Sequence, residues 1–298
     1  AFEWFGGTVN CKYLITYRTF DDDWDCDKGY NGNVQFAFTL RDPAIADVSG
    51  SNGFEVDSDK DGSKLQPITA PTFSNVTIIG PNVTKGSGTI NADYRRAIHH
   101  RRGSQLSILN SVLTGFPVGW RLDGEVTYEF AVTATTSDRS YFQNNILACN
   151  DNVWDTTSIN APSFDLEAWA TNSTNNNTAQ SSCDLMWEDM KLVNPNPLPK
   201  AGSPVLSGAD FTNAVLGTVS TDVVNTINTI VYPNPASKTL NIKVDNNQDY
   251  IATLINLEGK TIASTTTSFN LANIESGIYM VNIKTAQGVA TQKVVVSK

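Results

Sequence analysis

An asparagine set in the middle of a short β-branched run recurs three times in this chain at near-constant spacing. The runs are Phe73-Ser74-Asn75-Val76-Thr77-Ile78-Ile79, Ile108-Leu109-Asn110-Ser111-Val112-Leu113-Thr114 and Phe142-Gln143-Asn144-Asn145-Ile146-Leu147-Ala148. Their asparagines lie 35 and 34 residues apart, and Asn10 sits 65 residues before Asn75, about two such periods. A repeat near 34 also suits stacked helix pairs. Here the local alternation has period two and is rich in Val, Ile, Thr and Asn, so strands win over helices.

Further strand-like runs stand between the asparagines. They are Val118-Gly119-Trp120-Arg121-Leu122 and Val126-Thr127-Tyr128-Glu129-Phe130, with Asp123-Gly124 as the corner between them. Several strands per repeat, with corners, describe a coil of a right-handed parallel β-helix. Inward Val, Ile and Leu then stack into a continuous core. Each corner asparagine can hydrogen-bond to its copy in the next coil, as in stacked strands. A twisted sandwich explains the strands but not the repeated asparagine. The reading is an all-β chain with a β-helix body over 1–209.

The end of a coil stack is an unpaired edge and needs cover. Leu198-Pro199-Lys200-Ala201-Gly202-Ser203-Pro204-Val205-Leu206 resembles the segment that closes right-handed β-helices of bacterial surface proteins. The opening, Glu3 to Ile15, reads as strand with nothing before it, so the expectation is that earlier coils preceded Ala1. From 151 to 196 the pattern dissolves. Residues 171–182 read as a solvated loop, and Trp154, Trp169 and Trp187 are expected to pin the segment to the stack. Residues 210–228, small and polar, read as a linker.

The last part, 229–298, is patterned differently. Thr239-Leu240-Asn241-Ile242-Lys243-Val244, the run from Tyr250 to Leu257, Gly277 to Lys284 and the closing Val294-Val295-Val296 alternate or run apolar. Leu257-Glu258-Gly259-Lys260 and Thr285-Ala286-Gln287-Gly288 supply turns. This predicts a small antiparallel, Ig-like sandwich of about seven strands. Tyr232-Pro233-Asn234-Pro235, the Gly277–Tyr279 strand start and the ending from Lys293 to Lys298 resemble, in this order, the type A C-terminal sorting domain of the type IX secretion system of Bacteroidetes. The resemblance implies export across the outer membrane, with the translocon and its shuttle protein as partners, and frequent removal of the domain by a sortase. The Glu3–Asn10 opening, the acidic run after it and Arg101-Arg102-Gly103-Ser104 resemble a group of Bacteroidetes surface proteins, a likeness that carries over no activity.

Charge is distributed unevenly. The net charge is −9. From Ile230 onward six Lys face four Asp or Glu, which leaves −11 on the rest. So acidic a body argues against nucleic acid, which needs excess Lys and Arg. No apolar run approaches the ~18 residues of a membrane span. There is no initiator Met and no signal peptide, so the N-terminus reads as processed or truncated. The cysteines Cys11, Cys26, Cys149 and Cys183 form no zinc pair. Free buried thiols are one reading. Two disulfides are the other, with Cys11–Cys26 and Cys149–Cys183 the sequence-local choice of three connectivities.

Candidate chemistry is concentrated in carboxylates. In Asp21-Asp22-Asp23-Trp24-Asp25-Cys26-Asp27 five acids repel one another unless a hard cation, calcium first, offsets them. Asp21, Asp23 and Asp25 are the proposed ligands, against a plain solvated loop. Asp57, Asp59 and Asp61, followed by Gly62, match the first half of an EF-hand loop, but Ile68 holds the twelfth position and excludes a complete one. A partial calcium turn remains, against an exposed Asp-Gly turn. Arg95-Arg96 and His99-His100-Arg101-Arg102 form a basic cluster that could grip a carboxylated sugar or pair with acids of a neighbouring coil. Adjacent histidines point to opposite faces of a strand, which argues against a shared metal. The functional expectation is a secreted cell-surface protein with an adhesive or glycan-contacting body, possible surface polysaccharide as partner and Ca²⁺ as cofactor. The alternative is a polysaccharide lyase or glycoside hydrolase.

Overall fold

A computed structural model describes residues 1–298 apart from 135–139, 162, 214, 217–226, 246–247, 257–259 and 287. The chain divides into two compact units, Ala1–Val219 and Ser220–Lys298.

The first unit is the right-handed parallel β-helix. One sheet holds six strands in chain order: Phe2–Phe5, Trp24–Asp27, Phe54–Val56, Arg96–His100, Val118–Leu122 and Asn152–Asp155, all parallel. The second sheet has nine strands and bends at a corner. Asn33–Leu40 and Thr72–Ile79 run through that corner. In the next coils the strand splits around it, into Ser107–Leu109 with Val112–Thr114 and Phe142–Gln143 with Ile146–Ala148. Inward residues on the first sheet form one register line, Phe2, Trp24, Phe54, Ile98, Trp120 and Trp154. Alternation in each strand drives these side chains inward, and stacking merges them into one apolar core. Phe54 meets Phe73 edge-on at 4.8 Å across the core.

The corner is a column of left-handed residues. Tyr13, Phe36, Asn75, Asn110, Asn144 and Asn176 have φ of 59, 59, 56, 54, 57 and 53°. Asparagine tolerates this region where most side chains do not, which is why it recurs. The first two coils use aromatics instead, and Tyr13 stacks on Phe36 at 5.4 Å. Asn10 is therefore not a corner residue: its side chain accepts from the Asn33 amide at 2.8 Å.

Several expectations need correction. Val126–Phe130 is not a strand. Glu125–Tyr128 is α-helical and Glu129–Thr133 continues as a π-turn. Gly124, at φ 89°, turns the chain out of the coil, and Phe130 and Ala131 bury on the way back. The stretch 171–182 is not merely solvated, because Asn175 and Asn177 are buried and Thr178–Gln180 adds a parallel strand. The end of the stack is plugged by the short helix Leu166–Ala170, with Leu166 in the core and Trp169 6.1 Å from Trp120. The segment expected as an end cap lies elsewhere. Trp187–Asp189 and Asn196–Pro199 form a hairpin, and Leu185 and Trp187 pack on the flank made by Leu40, Ile79, Val112 and Ala148. The outward apolar residues of these coils leave a flank that water would otherwise wet. The Tyr17 hydroxyl of the first coil donates to Leu192 O, so this cover spans the stack.

Cys149 and Cys183 are bridged, whereas Cys11 and Cys26 are free thiols. Cys26 points into the core from the first sheet, and Cys11 begins a strand of the second. The expected linker starts as part of the body: Asn110 and Asp210 exchange two hydrogen bonds of 2.9 Å, and Leu216 is buried with Leu109.

The second unit is a sandwich. Thr229–Tyr232, Thr239–Val244 and Ser268–Asn270 form one antiparallel sheet. Thr261–Thr265, Tyr250–Asn256, Gly277–Thr285 and Val289–Val296 form the other. Leu240, Leu254, Phe269, Val281, Ile283 and Val294 fill the space between. Of the expected turns, 257–259 and Gln287 lie outside the described residues.

Candidate functional site: a charged file on the first sheet

The outward positions of the first sheet form a second register line beside the aromatic one. Glu3, Asp25, Glu55, His99, Arg121 and Asp155 follow one another, one per coil. Neighbouring strands stand about 4.8 Å apart, so these charges are within reach of one another. Asp57, Arg101 and Asp123, at the strand ends, run alongside.

The later coils neutralise themselves. Arg101 contacts Glu55 at 2.8 Å and Asp57 at 2.6 Å, and Arg102 reaches Asp57 at 2.8 Å. Arg121 pairs with Asp123 at 3.1 Å and Asp155 at 3.0 Å. His99 lies 3.2 Å from Asp123 and 3.5 Å from Glu55. The His99 contact, against the effect of burial, holds the Asp123 carboxyl well below the usual range. Burial raises Glu55, but His99 and Arg101 outweigh it and keep it ionised. His100 faces inward, its Nε2 2.9 Å from Ser104 O, and burial pushes its pKa down to about 4.

The early coils do not. Asp22, Asp25 and Glu55 offer oxygens that all lie within 4.8 Å of one another. Among the described residues, the Asp25 side chain meets no ion-pair or hydrogen-bond partner. Burial, then repulsion from Glu55 and Glu3, raises its pKa to about 7. Burial and Glu55 raise Asp22 to about 8, although the Asn52 amide donates to it. Asn52 is itself 2% exposed, its Nδ2 3.4 Å from Glu55 and its Oδ1 without a partner. Turning that amide over would aim its oxygen at the acids. Three carboxylates and an idle amide oxygen are the hard donors of a divalent cation.

Of the expected ligands, only Asp25 belongs to this group. Asp23 turns inward, fully buried against Arg41 at 3.1 Å. Asp21 contributes its carbonyl to the same guanidinium at 2.7 Å. Asp57 is held by two arginines. Asp59 accepts from the Asp61 amide at 2.8 Å and the Ser63 hydroxyl at 2.8 Å, closing its own turn, and Asp61 pairs with exposed Lys60. Among the described residues, Asp57, Asp59 and Asp61 do not bring their oxygens together as one group. The paired members of the basic cluster meet other acids than the 21–27 run: Arg101 and Arg102 meet Glu55 and Asp57, His99 meets Glu55 and Asp123, and Arg95 meets Asp93. Glu55 and Asn52 gave no signal as ligands in the sequence, and Asp22, though part of the acidic run, was not among the expected ligands. The alternation of Phe54-Glu55-Val56 marks Glu55 as outward, but coil lengths vary too much to place it beside Asp25.

Beside the file, Lys60, Arg102, Asp123 and Glu125 line a cleft of about 470 Å³. In the second unit the motif residues fasten one another. Asn234 donates to Lys293 O and accepts from the Val295 amide, both at 2.9 Å. The Tyr279 hydroxyl reaches Glu275 O at 3.0 Å, and Lys298 Nζ reaches Ala272 O at 2.7 Å.

A family model described as a pectate-lyase-like β-helix domain matches residues 1–189. One described as a secretion system C-terminal sorting domain matches residues 230–297. No curated protein matches the chain. Among the described residues, no helix is long and apolar enough to cross a membrane.

Proposed function

The chain belongs to the pectate-lyase-like β-helix family and ends in a type IX sorting domain, and from that premise we propose that its body is a cation-dependent, glycan-contacting surface protein. The sorting domain engages the type IX machinery and directs export through the outer membrane, to the cell surface or the medium. A Bacteroidetes source is part of the proposal.

The observation that supports the body's role is Asp25, an outward carboxylate of the first sheet with no partner of its own among the described residues, beside Asp22 and Glu55. A divalent cation, Ca²⁺ by its oxygen donors, would neutralise the three and keep open coordination positions toward solvent. An acidic glycan laid along the file could supply those ligands through its own carboxylates. Arg102 and Lys60 in the adjoining cleft offer further contacts. Titration of the full chain with Ca²⁺ in a calorimeter, followed by binding to uronate-containing and neutral polysaccharides with and without chelator, tests this. The expected result is 1:1 cation binding lost in Asp25→Asn, and chelator-sensitive retention on the acidic polymer alone. Equal retention with chelator present, or no cation binding, would end the reading.

A further inference from the structure

We propose that the outer face of the four-stranded sheet in the sorting domain is where the export machinery grips it, and that the gripping protein presents an apolar strip flanked by carboxylates. The inference is independent of what the body binds.

A solvated sheet face in a sandwich usually alternates inward apolar with outward polar residues. This sheet departs from that rule on its outer side. Inward lie Ala252, Leu254, Val281, Ile283, Val294 and Val296, all buried. Outward, Ile251 stands opposite Lys284, and Ile255 opposite Met280 and then Lys293. Ile278 completes the patch opposite Val295. Ile251 is 58% exposed and Ile278 42%. These aliphatics contribute nothing to the domain's own core, and on a free surface they are a solubility cost.

The charge on this face has one sign. The strands Tyr250–Asn256, Thr261–Thr265, Gly277–Thr285 and Val289–Val296 contain no Asp or Glu, and their charged residues are Lys284 and Lys293 alone. Two lysines set among aliphatics, with no internal counter-charge on the sheet, suit a partner with carboxylates around an apolar centre, since complementary charge steers and orients docking. The sorting role supplies the partner: a protein of the type IX machinery has to hold this domain. The opposite sheet is a natural control. Its outer side also exposes apolar residues, Ile230 at 58% and Tyr232 at 48%, but carries a single lysine, Lys243, across from Ile230.

The test uses the full chain in a host with intact type IX machinery and measures the ratio of exported to periplasmic protein. Two variants address the face, Lys284→Glu/Lys293→Glu and Ile251→Ser/Ile278→Ser. Lys243→Glu is the control, and a chain truncated before Thr229 reports whether the domain is needed at all. The expected result is a fall in exported fraction of about tenfold or more in both face variants, the scale of losing a central contact, with Lys243→Glu unchanged. The lysine pair is exposed and removes no buried contact, so its loss of export cannot be assigned to unfolding. Normal export of the face variants, with the truncated chain retained, would overturn the proposed face while leaving the sorting role intact. An equal fall in Lys243→Glu would overturn it too. Export of the truncated chain would overturn the sorting role and this proposal together.

Discussion

Asn176 donates its side-chain amide to the side-chain oxygen of Asn144 at 2.8 Å, one coil away in the same left-handed corner. Directly behind this exposed pair runs a buried one. Asn177 Oδ1 accepts from both the main-chain and side-chain nitrogens of Asn145, at 2.9 Å each. Asn145 in turn accepts from the Ser111 amide at 2.9 Å and donates to Ile108 O at 2.9 Å. The corner is thus held by two asparagine files, one shaping the backbone and one saturating its polar groups.

The two files predict different costs. Asn145→Ala orphans the Ser111 amide in the interior and removes the side-chain bonds to Ile108 O and Asn177, and should cost about 2–3 kcal/mol in urea unfolding, since a buried unsatisfied group costs ~1–3 kcal/mol. Asn144→Ala keeps those bonds and adds left-handed strain of ~1–2 kcal/mol. Asn144→Gly should cost less than Asn144→Ala, because glycine takes positive φ freely. Equal losses at 144 and 145 would show that the buried file carries no special weight.

These residues also mark what the sequence made legible. Asn75, Asn110 and Asn144 announced the coil because few other residues sit at φ near +55° without strain. Tyr13 and Phe36 hold the same conformation and gave no signal, since aromatics there are rare and are held by stacking on one another. Val126–Phe130 looked like a strand from its β-branched and aromatic residues, yet tertiary burial of Phe130 made it helical. The flank cover was mistaken for an end cap because outward Leu40 and Ile79 cannot be told from inward ones before the corner is placed. The charged file was hidden for a related reason. Asp25, Glu55 and His99 meet only through strand register, and the coils between them differ in length.

The Cys149–Cys183 bridge closes a loop of 34 residues and ties the last coils to the start of the flank cover. Reduction, or the double change Cys149→Ser/Cys183→Ser, should lower stability by about 3–4 kcal/mol by releasing that loop in the unfolded chain. Cys26→Ser should cost through a different route, placing a hydroxyl in the apolar core. The first loss should appear under reducing conditions in the wild type; the second should not depend on redox state.

Stability should fall as pH rises when no divalent cation is present. Asp22 and Asp25 have folded pKa values near 8 and 7, above the ordinary 3.8. A raised folded value means the folded state binds more protons, so this contribution is complete below about pH 4 and is lost as pH climbs through 7 to 8. Glu3, Asp27 and Asp57 reinforce the trend for Asp25, whereas Glu55, held low by His99 and Arg101, loses its contribution only on acidification. Melting in chelator should therefore drop between pH 5.5 and 8.5. Ca²⁺ at a hundred times its Kd should restore about 2.7 kcal/mol. Asp25→Asn should flatten the pH slope and abolish the cation effect. A wild-type melting curve that ignores both pH and Ca²⁺ would refute the assignment of these three acids.

Trp187 tests whether the flank cover is part of the folding unit. It is 8% exposed and packs with Leu185 over Leu40, Ile79 and Ala148, residues contributed by three different coils. Trp187→Ala should remove most of that contact and cost about 3–5 kcal/mol, the range for emptying a large buried aromatic site. The Ser203 hydroxyl, bonded to Leu185 O at 2.6 Å, holds the far side of the same cover, so Ser203→Ala should weaken it by a smaller amount. If the cover and the coils melt as one unit, Trp187→Ala lowers a single transition measured by far-ultraviolet dichroism. If the cover is merely draped, an apolar dye binds the uncovered flank at low temperature while the coil transition stays at its wild-type midpoint. Apolar residues from separate coils gathered into one cluster with Leu185 and Trp187 favour the single transition, because no coil can lose the cover without wetting its neighbours.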